Sequence, residues 1–179
     1  MSPIRIAGRY KIYVALFLFL AIGTALYFMH ARTGGQAQTQ FAVVPSDKEN
    51  LVVFLPTDKG GLERKTFEVK SSLPDRAKAD LVFSELRKGK VVPGTAKLHQ
   101  LAFGGDGVLY LDVSRDVISQ QLDTREEIRI VYALVNSFIA SFKDVSRVQL
   151  LVDGRPVHTF SGTVYTYAPL PSNDEVQEE

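Results

Sequence analysis

The sequence predicts an α+β domain, a mixed β-sheet covered on one face by two helices, preceded by one transmembrane helix. Three observations carry this reading. An uncharged apolar run of eighteen residues lies near the N-terminus. Two later segments place apolar residues at helical spacing, and short β-branched runs bounded by turn residues fill the space around them.

The apolar run is 12–29, IYVALFLFLAIGTALYFM. At roughly 1.5 Å per residue it spans about 27 Å, close to the thickness of a bilayer core. Backbone amides in lipid must pair internally, so such a run is expected to be a helix. Tyr10, Tyr13 and Tyr27 sit near its ends, where amphipathic rings favour the interface. Arg5, Arg9 and Lys11 precede it and only Arg32 follows closely. That bias places 1–11 in the cytoplasm and everything after the span outside it, as a single-pass protein of the inner (cytoplasmic) membrane held by a signal anchor. The competing reading is a cleaved signal peptide with its site near Gly35-Gln36-Ala37, although the run is long for one.

Residues 30–49 read as a linker rich in Gly, Gln, Ser and Thr, with a short apolar island at Phe41–Val44. The folded domain is expected over 50–171, and 172–179 as a disordered acidic tail. Four of the 21 basic residues flank the apolar run, so the remainder, carrying all 20 acidic residues, is weakly acidic. Such a domain makes a poor nucleic-acid partner, because phosphate binding needs a basic face. The chain has no Cys, which excludes disulfides, thiolate metal sites, cysteine nucleophiles and a lipid-modified cysteine.

Within the domain, Leu51–Leu55 is a buried strand and Leu62–Lys70 its return, joined by the turn Pro56-Thr57-Asp58-Lys59-Gly60-Gly61. Pro74 opens a helix with Ser71 or Ser72 near its cap, and Ala79, Val82, Phe83 and Leu86 form its apolar stripe. Gly89 stops it. Lys97–Phe103 and Val108–Val113 form a hairpin around Gly104-Gly105-Asp106-Gly107. The second helix starts at Thr124, with Thr124 and Glu127 spaced as a capping box. Ile128, Val131, Tyr132, Val135, Phe138, Ile139 and Phe142 continue at helical spacing, with Glu126 and Arg129 on the solvated side. Arg147–Val152 is a strand followed by an Asp153-Gly154 turn, and Pro156–Phe160 and Thr163–Tyr167 read as further edge strands.

These segments, in this order, resemble a known family. LVVFLPTDKGGLERKTFEV, ADLVFSELRKGK, VPGTAKLHQLAFGGDGVLYLDVS and IVYALVNSFIASFKDVSRVQLLVDGRPV together are similar to the GerMN domain, named after a bacterial sporulation and spore germination protein. Lys90 departs from the pattern, which usually has proline there. The resemblance implies an extracytoplasmic domain behind a signal or anchor, with a fold like the ring-building motifs of secretion and sporulation complexes. It implies association with envelope proteins, cell-wall material or further copies of itself, and no established catalytic activity.

Residue chemistry leads to the same expectation of a non-enzymatic module. His30, His99 and His158 are scattered. Ser161, His158 and Asp153 lie near one turn, but no nucleophile elbow surrounds the serine. Asp58, Asp106, Asp112, Asp116, Asp123 and Asp153 lack the spacing of a calcium loop. The 104–107 glycines join strand to strand and so fail as a phosphate loop. No catalytic, cofactor-binding or metal-binding residue is assigned, and no cofactor is expected. A cell-wall hydrolase accessory or activator, or a small-ligand-binding module, stands as the alternative.

Overall fold

The structure is a computed structural model, and it describes residues 13, 17, 19–24, 26, 27 and 47–176. The residues described before position 28 are helical, and Phe17, Phe19 and Leu20 among them are exposed. They belong to a different compact unit from the domain. Among the described residues no helix is long and apolar enough to cross a membrane. The expected span at 12–29 lies partly outside the described residues, and the apolar island at Phe41–Val44 and His30 lie wholly outside them.

The domain is α+β, with the element order the sequence predicts through its first five strands and two helices. Strand β1 (Lys48–Pro56) pairs antiparallel with β2 (Leu62–Lys70), and helix α1 (Asp75–Lys88) follows. Strands β3 (Leu98–Phe103) and β4 (Val108–Val113) form the glycine hairpin, with the Gly104 amide donating to the Val108 carbonyl at 2.8 Å. Helix α2 (Thr124–Ser141) then crosses to β5 (Arg147–Val152), which runs parallel to β4.

The expected single sheet is in fact two. The β1–β2 pair stands alone, and β3, β4 and β5 form a separate sheet completed by β6 (Arg155–Pro156) and β7 (Leu170–Pro171) on β5. The reason lies in α2, which packs along β1. The Phe54 amide donates to Ser137 Oγ at 2.8 Å. The Val52 amide donates to Ser141 Oγ at 2.9 Å, and that hydroxyl donates back to the Val52 carbonyl. Serines four apart on a helix rise about 6 Å, close to the two-residue repeat of a strand. A helix face therefore stands where a neighbouring strand would, and β1 is closed without joining the larger sheet.

That arrangement buries α2 on more than one side. Of the predicted stripe, Val131, Val135, Phe138 and Phe142 are buried and Ile128, Tyr132 and Ile139 half-buried, while Ala133, Leu134, Asn136, Ser137 and Ser141, outside the stripe, are buried as well. The α1 stripe of Ala79, Val82, Phe83 and Leu86 is buried as predicted. Its cap is different. Pro74 occupies the N-cap position without a side-chain bond, so neither Ser71 nor Ser72 serves. Lys90, just past α1, has φ of 59°, which the proline ring cannot adopt, so this loop departs from the path a proline would set.

Of the predicted edge strands Pro156–Phe160 and Thr163–Tyr167, only Pro156 lies in a strand, as the end of β6. The rest form an irregular excursion between β6 and β7 with one isolated bridge, Thr159 to Tyr165. Its fixed points are side chains rather than a ladder. Phe160 is buried, Thr166 is fully buried, and Gln149 Nε2 donates to the Thr166 carbonyl at 3.0 Å.

Candidate functional site

The residues nominated by their chemistry are dispersed and engaged. Ser161 Oγ donates to the Gln120 carbonyl at 3.1 Å and accepts from the Leu122 amide at 3.4 Å. His158 stacks on Tyr167 with ring centroids 4.7 Å apart. Asp153 instead faces His99 Nε2 and Arg115 Nε, each at 3.5 Å. The structure therefore does not assemble Ser161, His158 and Asp153 into one site.

The aspartates are equally separate. Asp106 pairs with Arg147, and Asp112 accepts from the Gly154 amide at 2.7 Å. Asp58 sits in the exposed β1–β2 turn, and Asp116 belongs to a 3-10 turn at Arg115–Ile118. Asp123 is the N-cap of α2. Among the described residues no three acidic or histidine groups converge as a metal site would require.

The capping box lies one residue earlier than Thr124 and Glu127. Asp123 accepts from the Glu126 amide at 2.8 Å, and Glu126 accepts from the Asp123 amide. Asp is a stronger N-cap than Thr, and D-T-R-E-E offers both registers. The shift turns Glu127 inward. Its carboxylate is fully buried and accepts the amides of Ser161 at 2.7 Å, Thr163 at 2.8 Å and Val164 at 2.9 Å. Burial opposes ionisation, but the amides of Ser161, Val164 and Thr163 outweigh it and hold the Glu127 carboxyl below its ordinary value. This group fastens the 157–169 excursion to α2. Arg129, expected on the solvated side, is half-buried and reaches the Thr57 carbonyl at 3.4 Å.

At the other end of α2 lies an open cleft of about 570 Å³. Two turns form its wall. The Ser146 amide donates to the Gly107 carbonyl at 2.9 Å, joining the β3–β4 turn to the α2–β5 turn. Gly107 has φ of 77°, and a Cβ there would stand 2.8 Å from Ser146 Oγ, so only glycine fits this junction. Phe103 and Phe142 line the apolar side, with ring centroids 5.6 Å apart. Phe103, at the end of the edge strand β3, remains 48% exposed, a large apolar side chain left open to solvent.

The polar side is contributed by β1 and α1. Lys78 Nζ lies 2.7 Å from Glu49 Oε1 and 3.8 Å from Asp75 Oδ1. Its side chain is only 9% exposed, so the Glu49 pair largely neutralises it in place. Asp144 and Lys143 complete the rim, Asp144 with φ of 63°. An open cleft of this size with an aromatic wall and convergent polar groups has the form of a binding surface. Its one lining hydroxyl, Ser141 Oγ, is bonded to the Val52 amide and carbonyl. Sequence reading missed the cleft because Phe103, Lys78 and Asp144 are far apart along the chain and only the fold brings them together.

The comparisons with known proteins agree with this architecture. The chain matches the Germane family, described as sporulation and spore germination, over residues 52–158. The first GerMN domain of the sporulation protein GerM from Bacillus subtilis aligns with a TM-score of 0.53 at 14% identity, covering 69% of this chain and 97% of that one. The tandem GerMN domains of the same protein align with a TM-score of 0.54 at 16% identity, covering 79% of this chain and 51% of that one. The present chain thus spans about half of the tandem structure. Among curated proteins nothing matches.

Proposed function

We propose, from the premise that this chain belongs to the Germane family of sporulation and spore germination, that its domain is a non-enzymatic assembly module of the bacterial cell envelope. It acts by holding another envelope protein, a further copy of itself or cell-wall material. The observation that carries this reading is the contrast between engaged chemistry and open surface. Ser161 and Glu127 are committed to hydrogen bonds inside the fold, and His158 and Asp153 lie apart in exposed contacts with Tyr167, His99 and Arg115, whereas the cleft beside Phe103 is open, with an aromatic wall and a charged rim. Tethering to the inner membrane by 12–29 belongs to the same proposal. The charge bias around that run and the exposed apolar residues Phe17, Phe19 and Leu20 support it.

Protease added to spheroplasts should remove the domain and leave a short membrane-bound fragment. Cleavage only after lysis would reverse the orientation. For function, a photoreactive residue at position 103 in intact cells should crosslink to an envelope partner. His158→Ala and Ser161→Ala should leave that crosslink and any cellular phenotype intact. Loss of phenotype from either substitution in a stably folded protein would end the non-enzymatic reading.

The size of the cleft favours a second reading, a small-ligand-binding module, since about 570 Å³ falls within the range of ligand pockets. Native mass spectrometry of the protein purified from its own cells would separate the two, by showing or failing to show a retained small molecule.

A further inference from the structure

We infer that the cleft at the C-terminal end of α2 receives a basic side chain, arginine above all, flanked by apolar residues of a partner segment. The inference rests on the assembly-module reading and specifies what that module grips.

Charge supplies the first argument. Three carboxylates line the cleft, Glu49, Asp75 and Asp144, against two amines, Lys78 and Lys143. Glu49 and Lys78 satisfy each other at 2.7 Å. Asp75 reaches Lys78 only at 3.8 Å, and its side chain is 58% exposed. Asp75 is thus a looser second partner of Lys78, and with Asp144 and Lys143 on the rim the lining carries one carboxylate more than its amines. The end of α2 adds to this. The carbonyls of a last helical turn carry partial negative charge and lack helical partners, and cations are favoured beside them. No basic residue occupies the last turn of α2, although its residues Ala140 and Ser141 line the cleft.

The aromatic wall supplies the second argument. Phe103 is half-exposed and held at a tilt against the buried Phe142, which fixes its orientation. A guanidinium attracts an aromatic face by cation–π interaction, and its planar fork can pair with a carboxylate at the same time. An anionic occupant would meet Asp75, Asp144 and the helix end. A purely apolar occupant would leave those charges facing it without compensation.

The test uses the full chain in detergent micelles with the acetylated, amidated tripeptide Leu-Arg-Leu. Its citrulline counterpart keeps the shape without the charge, and Leu-Glu-Leu reverses it. The readout is the NMR shift of the Phe103 ring and the Val108 and Val145 methyls. The arginine peptide should give saturable shifts, bind about fivefold or more tighter than the citrulline peptide, and lose a similar factor with Asp144→Asn, a residue that tolerates positive φ. Phe103→Leu should weaken arginine binding while leaving citrulline binding nearly unchanged. Equal binding of the arginine and citrulline peptides, saturable binding of the glutamate peptide, or no saturable shift with arginine up to about 10 mM, the weak end of specific recognition, would overturn the inference. In cells, a crosslink from position 103 to a partner segment without Lys or Arg would overturn it while leaving the assembly-module reading standing. Failure to crosslink any partner would count against that broader reading instead.

Discussion

At its N-terminal end α2 turns a carboxylate inward and surrounds it with backbone amides; at its C-terminal end it stops beside a half-exposed phenylalanine and an open cleft. The first end holds Ser161, Thr163 and Val164 on Glu127. The second leaves Phe103 and Asp75 to solvent. Both ends are rich in polar groups, so polarity alone does not mark function. What differs is satisfaction. Groups already satisfied by short bonds inside the fold have little left to offer a ligand, whereas an exposed ring and a loosely paired carboxylate at a cleft do.

The largest way to break this contrast is to remove Glu127. Glu127→Ala leaves three amides of the 161–164 segment without their acceptor. Unsatisfied buried donors cost about 1–3 kcal/mol each, with partial recovery by water in this partly exposed segment, so a total of about 3 kcal/mol is expected. Thermal melting of the full chain should drop by roughly 10 °C, given about 3 °C per kcal/mol for a domain of this size. A drop of less than about 2 °C would show that the excursion is held by Phe160 and Gln149 instead.

Titration of the same group gives a sharper test. The Glu127 carboxyl is held below its ordinary value in the folded protein. Its contribution is therefore fully present above the unfolded value of about 4.3 and is lost as pH falls through the lower folded value. The melting temperature should fall across that acid window more steeply in the wild type than in Glu127→Gln, which has no proton to bind. Parallel pH profiles would remove the carboxylate from its assigned role.

Much of this fold is legible in the sequence where one principle dominates. The hairpin at Gly104–Gly107 and the stripe of α1 follow from turn chemistry and spacing. The failures cluster where two principles compete. D-T-R-E-E permits two capping registers, and a one-residue shift decides whether Glu127 is a surface cap or a buried anchor. Alternating Thr163–Tyr167 has the period of a strand, yet a buried carboxylate and Thr166 fix it as an excursion. Ser137 and Ser141 read as polar residues in a helix, and nothing local reveals that a strand edge lies against them. The cleft depends on turns from distant segments meeting, which no periodicity encodes.

The serine pair gives the next effect in size. Ser137→Ala and Ser141→Ala each remove the acceptor of one β1 amide, at a cost of about 1–2 kcal/mol. Together they should also raise exchange of the Val52 and Phe54 amides with solvent, because the β1 edge is opened on the α2 side. Hydrogen exchange measured residue by residue checks this. Unchanged protection at 52 and 54 would mean that packing alone closes the edge.

The smallest effect concerns Asp153, the acid of the dispersed trio. Its carboxylate faces His99 and Arg115 at 3.5 Å each, and all three side chains are substantially exposed. Exposed pairs of this kind contribute about 0–1 kcal/mol. Its backbone is more demanding, with φ of 49° before Gly154 in the tight turn between β5 and β6. Asn enters the left-handed region almost as readily as Asp, whereas Ala pays a steric penalty there of about 1 kcal/mol. Asp153→Asn should therefore leave the melting temperature within about 2 °C of wild type, and Asp153→Ala should lower it by roughly 3 °C. The conformation of the turn, not the charge, would then account for the residue. An equal and larger loss from Asn and Ala would reverse that assignment and make the carboxylate itself important, because the two variants share only the removal of its charge.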